Sequence, residues 1–140
     1  MKDIKGFSGA YRFLSNFYPA KVVFEGIEYP TSEHAFQAAK TLDVAQRRAI
    51  ATLTASEAKR VGRKLYLRED WEQIKLVTME LILLDKFSRQ PLKRQLIATG
   101  DAFLEETNTW GDIIWGVCRG VGSNHLGKLL MKVRELSRGP

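Results

Sequence analysis

Cysteine and histidine are scarce in this chain, and their scarcity removes whole classes of chemistry. The one thiol, Cys118, cannot close an internal disulfide, which fits a reducing cytoplasm. The two histidines, His34 and His125, lie far apart with no thiolate cluster near either, so a zinc-deaminase arrangement is excluded. Walker A, Gly-x-Ser-x-Gly and Cys-x-x-Cys patterns are all missing. No acidic cluster suggests a metal, and no cofactor is expected. No apolar run approaches the roughly 20 residues that cross a bilayer. The opening Met-Lys-Asp-Ile-Lys-Gly lacks the apolar core of a signal peptide. A cytoplasmic protein with no membrane contact is the expectation.

Linkers, low-complexity tracts and internal repeats are absent too, and 140 residues make one domain over 1–140. A chain of this length buries about two-thirds of the surface it exposes when unfolded. Charge is plentiful and uneven. The formal net charge is +6, with seven basic and six acidic residues before position 59 and fifteen and ten from there on. Five cations and no acid fall in 59–68, and four and none in 86–94. Such blocks are either a solvated basic face or a field for phosphates and nucleic acid.

Local signals divide the chain. Residues 4–29 read as extended, with Glu25-Gly26 turning a hairpin between 21–24 and 27–29. Pro30 ends the strand, and Thr31-Ser32 cap a helix running to Lys40. Asp43 caps a second helix to about Leu53. Thr54-Ala55-Ser56-Glu57 has the form of a capping box for a third, within which Gly62 is a weak point. Trp71–Phe87 is the strongest helix. Apolar positions 71, 74, 77, 81 and 84, widened by Leu76, Met79, Ile82 and Leu83, predict a central helix covered on most sides. Pro91 and Gly100 bracket a short helix, 102–105 and 113–115 read as strands, and Ser123 opens a last helix. The class is α+β, mostly helical with a small β-sheet.

Three polar constellations stand out. Glu33, Phe36, Gln37 and Lys40 recur at helical spacing, so an acid, an amide and an ammonium share one stripe. An exposed Glu favoured by the helix N-terminus is the plainer reading. Segment 106–116 sets two tryptophans and two glycines beside two acids. Trp115 could stack on a flat base, Gly116 could let a ligand approach the backbone, and Asp112 could grip a sugar hydroxyl; a pair of core tryptophans and a turn Asp explain it as simply. Glycines 120 and 122, running through Ser123 and Asn124 into a helix start beside Arg119, would expose backbone N–H groups to phosphate. Segment 12–18, with Arg12, Asn16 and Phe17, joins the same pocket or is an amphipathic strand.

Taken in order, these pieces resemble the NADAR superfamily of YbiA-like proteins. Phe13-Leu14-Ser15-Asn16-Phe17 is similar to its opening motif, and Tyr29 to Lys40 to its Tyr-x-x-x-Glu-x-x-Phe-Gln-x-x-Lys helix. Asp70-Trp71, the spaced Glu106, Asp112 and Trp115-Gly116, and Gly122-x-Asn124-x-Leu126-Gly127 through Met131-x-x-Arg134 complete five collinear motifs. The resemblance implies a compact, mostly helical α+β domain. It also implies an N-glycosidase acting on ribosyl–nitrogen bonds, either in phosphorylated early riboflavin-pathway intermediates or in ADP-ribosylated guanine of nucleic acid. By similarity Glu33 matches the catalytic carboxylate, with Lys40 and Asp112 beside it. Substrate contacts are expected from Arg12, Asn16, Phe17, Tyr29, His34, Trp71, Trp115, Gly116, Gly122 and Asn124, with Trp71 and Trp115 sandwiching the base. The stretch between Thr41 and Glu57 is short and loosely patterned, a place for substrate preference to be set.

That chemistry suits the residues. Breaking a ribosyl C–N bond builds oxocarbenium character, which a carboxylate stabilises, or against which it activates water. Lys40 would bind phosphate or hold Glu33 ionised; an imine with ring-opened ribose would need a desolvated amine. The basic blocks lean toward a nucleic-acid substrate. A non-catalytic ADP-ribose or nucleotide reader is the alternative, and a basic nucleic-acid-binding module the third.

Overall fold

The computed structural model describes residues 2–139. It divides into two compact units, one built from residues up to Ser15 and from Phe87 onward, the other from Asn16–Lys86. The fold class is α+β, as expected. Among the described residues the strands form three separate two-stranded pairings rather than one small sheet.

The 16–86 unit is organised around a short, wholly buried helix. Strands β2 (Val22–Phe24) and β3 (Ile27–Tyr29) form the expected hairpin, pairing Val22 with Tyr29 and Phe24 with Ile27. Both turn residues take positive φ, Glu25 at 47° and Gly26 at 83°, the combination that matches strand twist in a two-residue loop. Helix α1 (Ser32–Ala38) follows, with the Thr31 side chain accepting the His34 N–H. Every residue of α1 is buried, because α2, α3, α4 and the hairpin all pack against it.

Helices α2 (Val44–Ala51) and α3 (Ala55–Gly62) carry the predicted caps: Asp43 accepts from Ala45 and Gln46 N–H, and Thr54 and Glu57 form a reciprocal capping box. The stretch 41–57 is therefore ordered, and buried Arg47 ties it down by donating to the Thr41 carbonyl and to Glu25. Helix α4 (Trp71–Lys86) forms where expected but is not the central element. It buries Trp71, Thr78, Met79, Ile82, Leu83 and Lys86 on one face, while Leu76, Val77 and Leu81 are exposed. Two apolar stripes lie on this helix, and the period alone does not say which one faces inward.

In the other unit β1 (Ile4–Lys5) pairs in parallel with β4 (Leu104–Glu105), and β5 (Thr107–Asn108) with β6 (Val117–Cys118). Helices α5 (Leu92–Ala98) and α6 (His125–Arg138) pack together, and α6 lies on β4. Buried Arg134 links these elements, donating from Nη1 to Thr99 Oγ1 and the Ala102 carbonyl. Two expectations fail here. Residues 9–14 form a 3-10 helix, not a strand; it buries the neighbours Phe13 and Leu14 together, which a strand would send to opposite faces. Residues 113–115 bend instead of pairing, because Asp112 Oδ1 accepts the N–H groups of Ile114 and Trp115 and folds the backbone back.

Candidate active site

Glu33 stands in the first turn of α1 and is only 7% exposed. Its backbone N–H donates to the Asn16 carbonyl, and Ser32 Oγ donates to Asn16 Oδ1 at 2.8 Å. Asn16 thus fixes the start of α1 with the groups a substrate would have used. Lys40 lies one residue past the Ala39 C-cap, its N–H donating to the Gln37 carbonyl and its carbonyl accepting from Arg68 N–H. Burial pulls the Lys40 ammonium below the usual lysine range; the Glu33 carboxylate opposes that shift and Arg63 adds to it. The Glu33 carboxylate and the Lys40 amine therefore lie close enough to interact, although α1 ends at Ala38 and not, as expected, at Lys40.

Helix α3 supplies a part of the site that the sequence reading missed. Lys59, Gly62 and Arg63 share one face of α3, and α3 packs on α1. The Lys59 ammonium lies 5.7 Å from the centroid of the Phe17 ring, a cation–π approach. Gly62 has no unusual φ, but a Cβ there would strike Gln37 Oε1 and fall 2.6 Å from Gln37 Cδ and 3.0 Å from Gln37 Cβ, so the end of the Gln37 side chain would have to shift. Of the basic block 59–64, Lys59 is half-buried and Gly62 buried, while Arg60, Arg63 and Lys64 are exposed.

Three expected substrate contacts in this unit are buried. His34 is buried, with Nε2 2.7 Å from the Leu53 carbonyl and Nδ1 2.6 Å from Thr31 Oγ1. A carbonyl only accepts, so Nε2 carries a proton and both ring nitrogens are committed. Tyr29 is 1% exposed and its hydroxyl is buried without a partner; burial raises its pKa, and the nearby Arg47 opposes that. Trp71 is 5% exposed and packs against Phe36 with ring centroids 5.1 Å apart.

The remaining residues belong to the other unit. Arg12 is exposed in the last turn of the 3-10 helix. Trp115 is half-buried beside His125, edge-on at 6.2 Å. Asp112 is held at both ends: its N–H donates to Asn108 Oδ1, its carbonyl accepts from Asn108 Nδ2, and its carboxylate serves the 112–115 turn. Gly116 lets the chain approach itself rather than a ligand, since a Cβ there would lie 2.7 Å from Asn108 Nδ2 and closer still to the Glu106 carbonyl. Gly122, at φ +151°, is similarly pressed on the Gly116 carbonyl.

The expected phosphate seat at the start of α6 is filled by the protein. Ser123, Asn124, His125 and Leu126 N–H donate to the carbonyls of Ile113, Gly116, Ile114 and Trp115. Asn124, in a left-handed conformation, accepts the Glu106 N–H on Oδ1 and donates from Nδ2 to the Leu104 carbonyl. It is a buried brace. Among the described residues no group of three or more His, Cys, Asp or Glu side chains is placed to hold a metal, and no helix is long and apolar enough to cross a membrane.

Comparison with known proteins agrees with the motif order. The N-glycosidase YbiA of Escherichia coli is 40% identical over 133 residues, 91% of this chain and 82% of that protein. An N-glycosidase of Nostoc punctiforme is 36% identical over 133 residues, covering 89% and 85%. A riboflavin biosynthesis protein of Vibrio vulnificus is 41% identical over 128 residues, 88% of this chain, which spans only 35% of that longer protein. The NMR structure of E. coli YbiA superposes with a TM-score of 0.84 at 37% identity, covering 97% of this chain and 86% of that one. The NADAR domain family model matches residues 5–137, so both units fall within one family domain. With the family model matching most of its length and its fold matched, the chain belongs to the NADAR family.

Proposed function

We propose that this protein is an N-glycosidase that cleaves the bond between a phosphorylated ribosyl group and a nitrogen base of the riboflavin-pathway type, with Glu33 as the essential carboxylate. The observation that carries this reading is the enclosed Glu33, whose carboxylate favours the ammonium of the partly buried Lys40, with Arg63 acting on the same amine. As the C–N bond lengthens, positive charge grows on the anomeric carbon and ring oxygen. A buried carboxylate stabilises that charge more strongly than one in water, and deprotonates the attacking water in the same step. Relatives named as N-glycosidases and as a riboflavin biosynthesis protein support the substrate class.

The basic blocks lose force as a polymer-binding field. Lys86 is fully buried, Arg68 is paired with Asp70 at 2.6 Å, and Lys59 lies over Phe17. What remains near the acid suits the phosphate of a small molecule. The exposed Arg60, Arg63 and Lys64 keep nucleic acid bearing ADP-ribosylated guanine as the second reading. Base release from a ribosylamine phosphate and from ADP-ribosylated DNA, assayed in parallel, separates the two. Turnover of the small molecule alone supports the proposal, and turnover of the DNA alone overturns it.

Burial also gives Lys40 the desolvation that a nucleophilic amine requires. In this reading the ribosylamine opens to an iminium between C1 and the base nitrogen, the neutral Lys40 amine adds to C1, the base leaves as the free amine, and water then hydrolyses the resulting Lys40 imine. Borohydride would trap that adduct on Lys40, and a protein whose mass is unchanged after turnover in borohydride would confine Lys40 to an electrostatic role.

A further inference from the structure

Gln37 is a polar side chain for which the fold makes room without giving it a partner. It follows Glu33 by one turn on the same face of α1 and is 5% exposed. Its Oε1 is buried with no hydrogen-bond partner, a state that native proteins rarely leave unexplained. Opposite it, α3 carries Gly62 at an ordinary helical position, where alanine would favour the helix. The amide rests directly on Gly62, so a Cβ at that position would strike its Cδ. The last residue of α3 thus leaves space for an amide whose oxygen is unsatisfied.

From this we infer that Gln37 is a substrate-positioning residue, its side-chain amide hydrogen-bonding the sugar that Glu33 acts on. The inference rests on the N-glycosidase reading. An amide whose oxygen has no hydrogen-bond partner is not held in one orientation by that oxygen. Rotation of the terminal amide presents either the carbonyl or the NH2 to the sugar hydroxyls, at little cost in lost bonds. Lys59 and Arg63, on the same face of α3 as Gly62, take the charge of the substrate and leave its neutral hydroxyls to Gln37.

Two measurements test the proposal. Gln37→Met has nearly the same length and keeps the rest on Gly62, so it should unfold at or above the wild-type temperature, because an unsatisfied polar atom has been removed. Its KM for the ribosylamine phosphate should rise about tenfold or more, with a smaller change in kcat, as loss of a binding contact requires. An unchanged KM in this folded variant overturns the proposal. The second readout does not depend on turnover: ribose 5-phosphate is titrated into 15N-labelled protein while the Gln37 side-chain NH2 signals, identified by their absence from Gln37→Met, are followed. Shifts that saturate, together with binding weakened in Gln37→Met, support the proposal even if the leaving base has been misassigned. NH2 signals that stay fixed while backbone signals of α1 move overturn it and leave the N-glycosidase reading intact.

Discussion

Replacing Gly116 with alanine should cost stability first and activity only as a consequence. The new Cβ would sit 2.7 Å from Asn108 Nδ2, 2.8 Å from Glu106 Cγ and nearer still to the Glu106 carbonyl oxygen. That oxygen accepts the Val117 N–H at 2.8 Å at the start of the β5–β6 pairing, so it cannot move without loosening the ladder. Overpacking of this kind costs about 1–3 kcal/mol, and the strained hydrogen bond roughly 0.5–1.5 more. A total of about 2–4 kcal/mol lowers Tm by roughly 6–12 °C for a chain of this size. Gly6→Ala is the control: φ is +86° and nothing lies within 4 Å, so only backbone strain of about 1 kcal/mol is expected. Thermal unfolding and steady-state kinetics on both variants decide the matter. A Gly116→Ala protein that melts within about 2 °C of wild type but has a raised KM would refute the packing argument and return Gly116 to the substrate.

Other expectations follow from the same contacts. Asn124→Ala strands the Glu106 N–H and the Leu104 carbonyl and removes a residue suited to positive φ; urea unfolding should show a loss of about 2–5 kcal/mol. His34→Phe should lose about 1–3 kcal/mol by orphaning the Leu53 carbonyl, while its kcat per folded molecule stays near wild type; a collapse of kcat in the folded fraction would show that His34 acts on substrate. Burial brings Lys86 down to about 7. Between that value and the ordinary lysine pKa the unfolded chain binds the extra proton, so stability should rise with pH from about 7 to 10, by up to ~1.4 kcal/mol per unit. Urea unfolding across that range should show a smaller slope in Lys86→Met.

What could be read in advance was local. Thr31, Asp43 and Thr54 cap helices through bonds that span two or three residues, and the Glu25-Gly26 turn needs only its own backbone, so all four were legible from spacing. The start of α1 was legible for the same reason, but its end was not: the helix stops at Ala38, two residues before Lys40. Residues whose meaning depends on a distant partner were not. The His34 acceptor is nineteen positions away and one Asn124 partner is twenty, so both looked like free polar groups. The glycine run before α6 resembled a phosphate cradle until the carbonyls of 113–116 filled it. Gly62 looked like a flaw in α3, and only the packing of α3 on α1 shows that it makes room for Gln37.

Glu33→Gln is the most direct test of the account, because it keeps the size of the side chain and removes only the charge that the reaction uses. The measurement is single-turnover base release from the ribosylamine phosphate, with thermal unfolding confirming the fold. The account predicts a folded protein whose rate falls by about 10²–10⁴. A folded Glu33→Gln protein releasing base at close to the wild-type rate would contradict it.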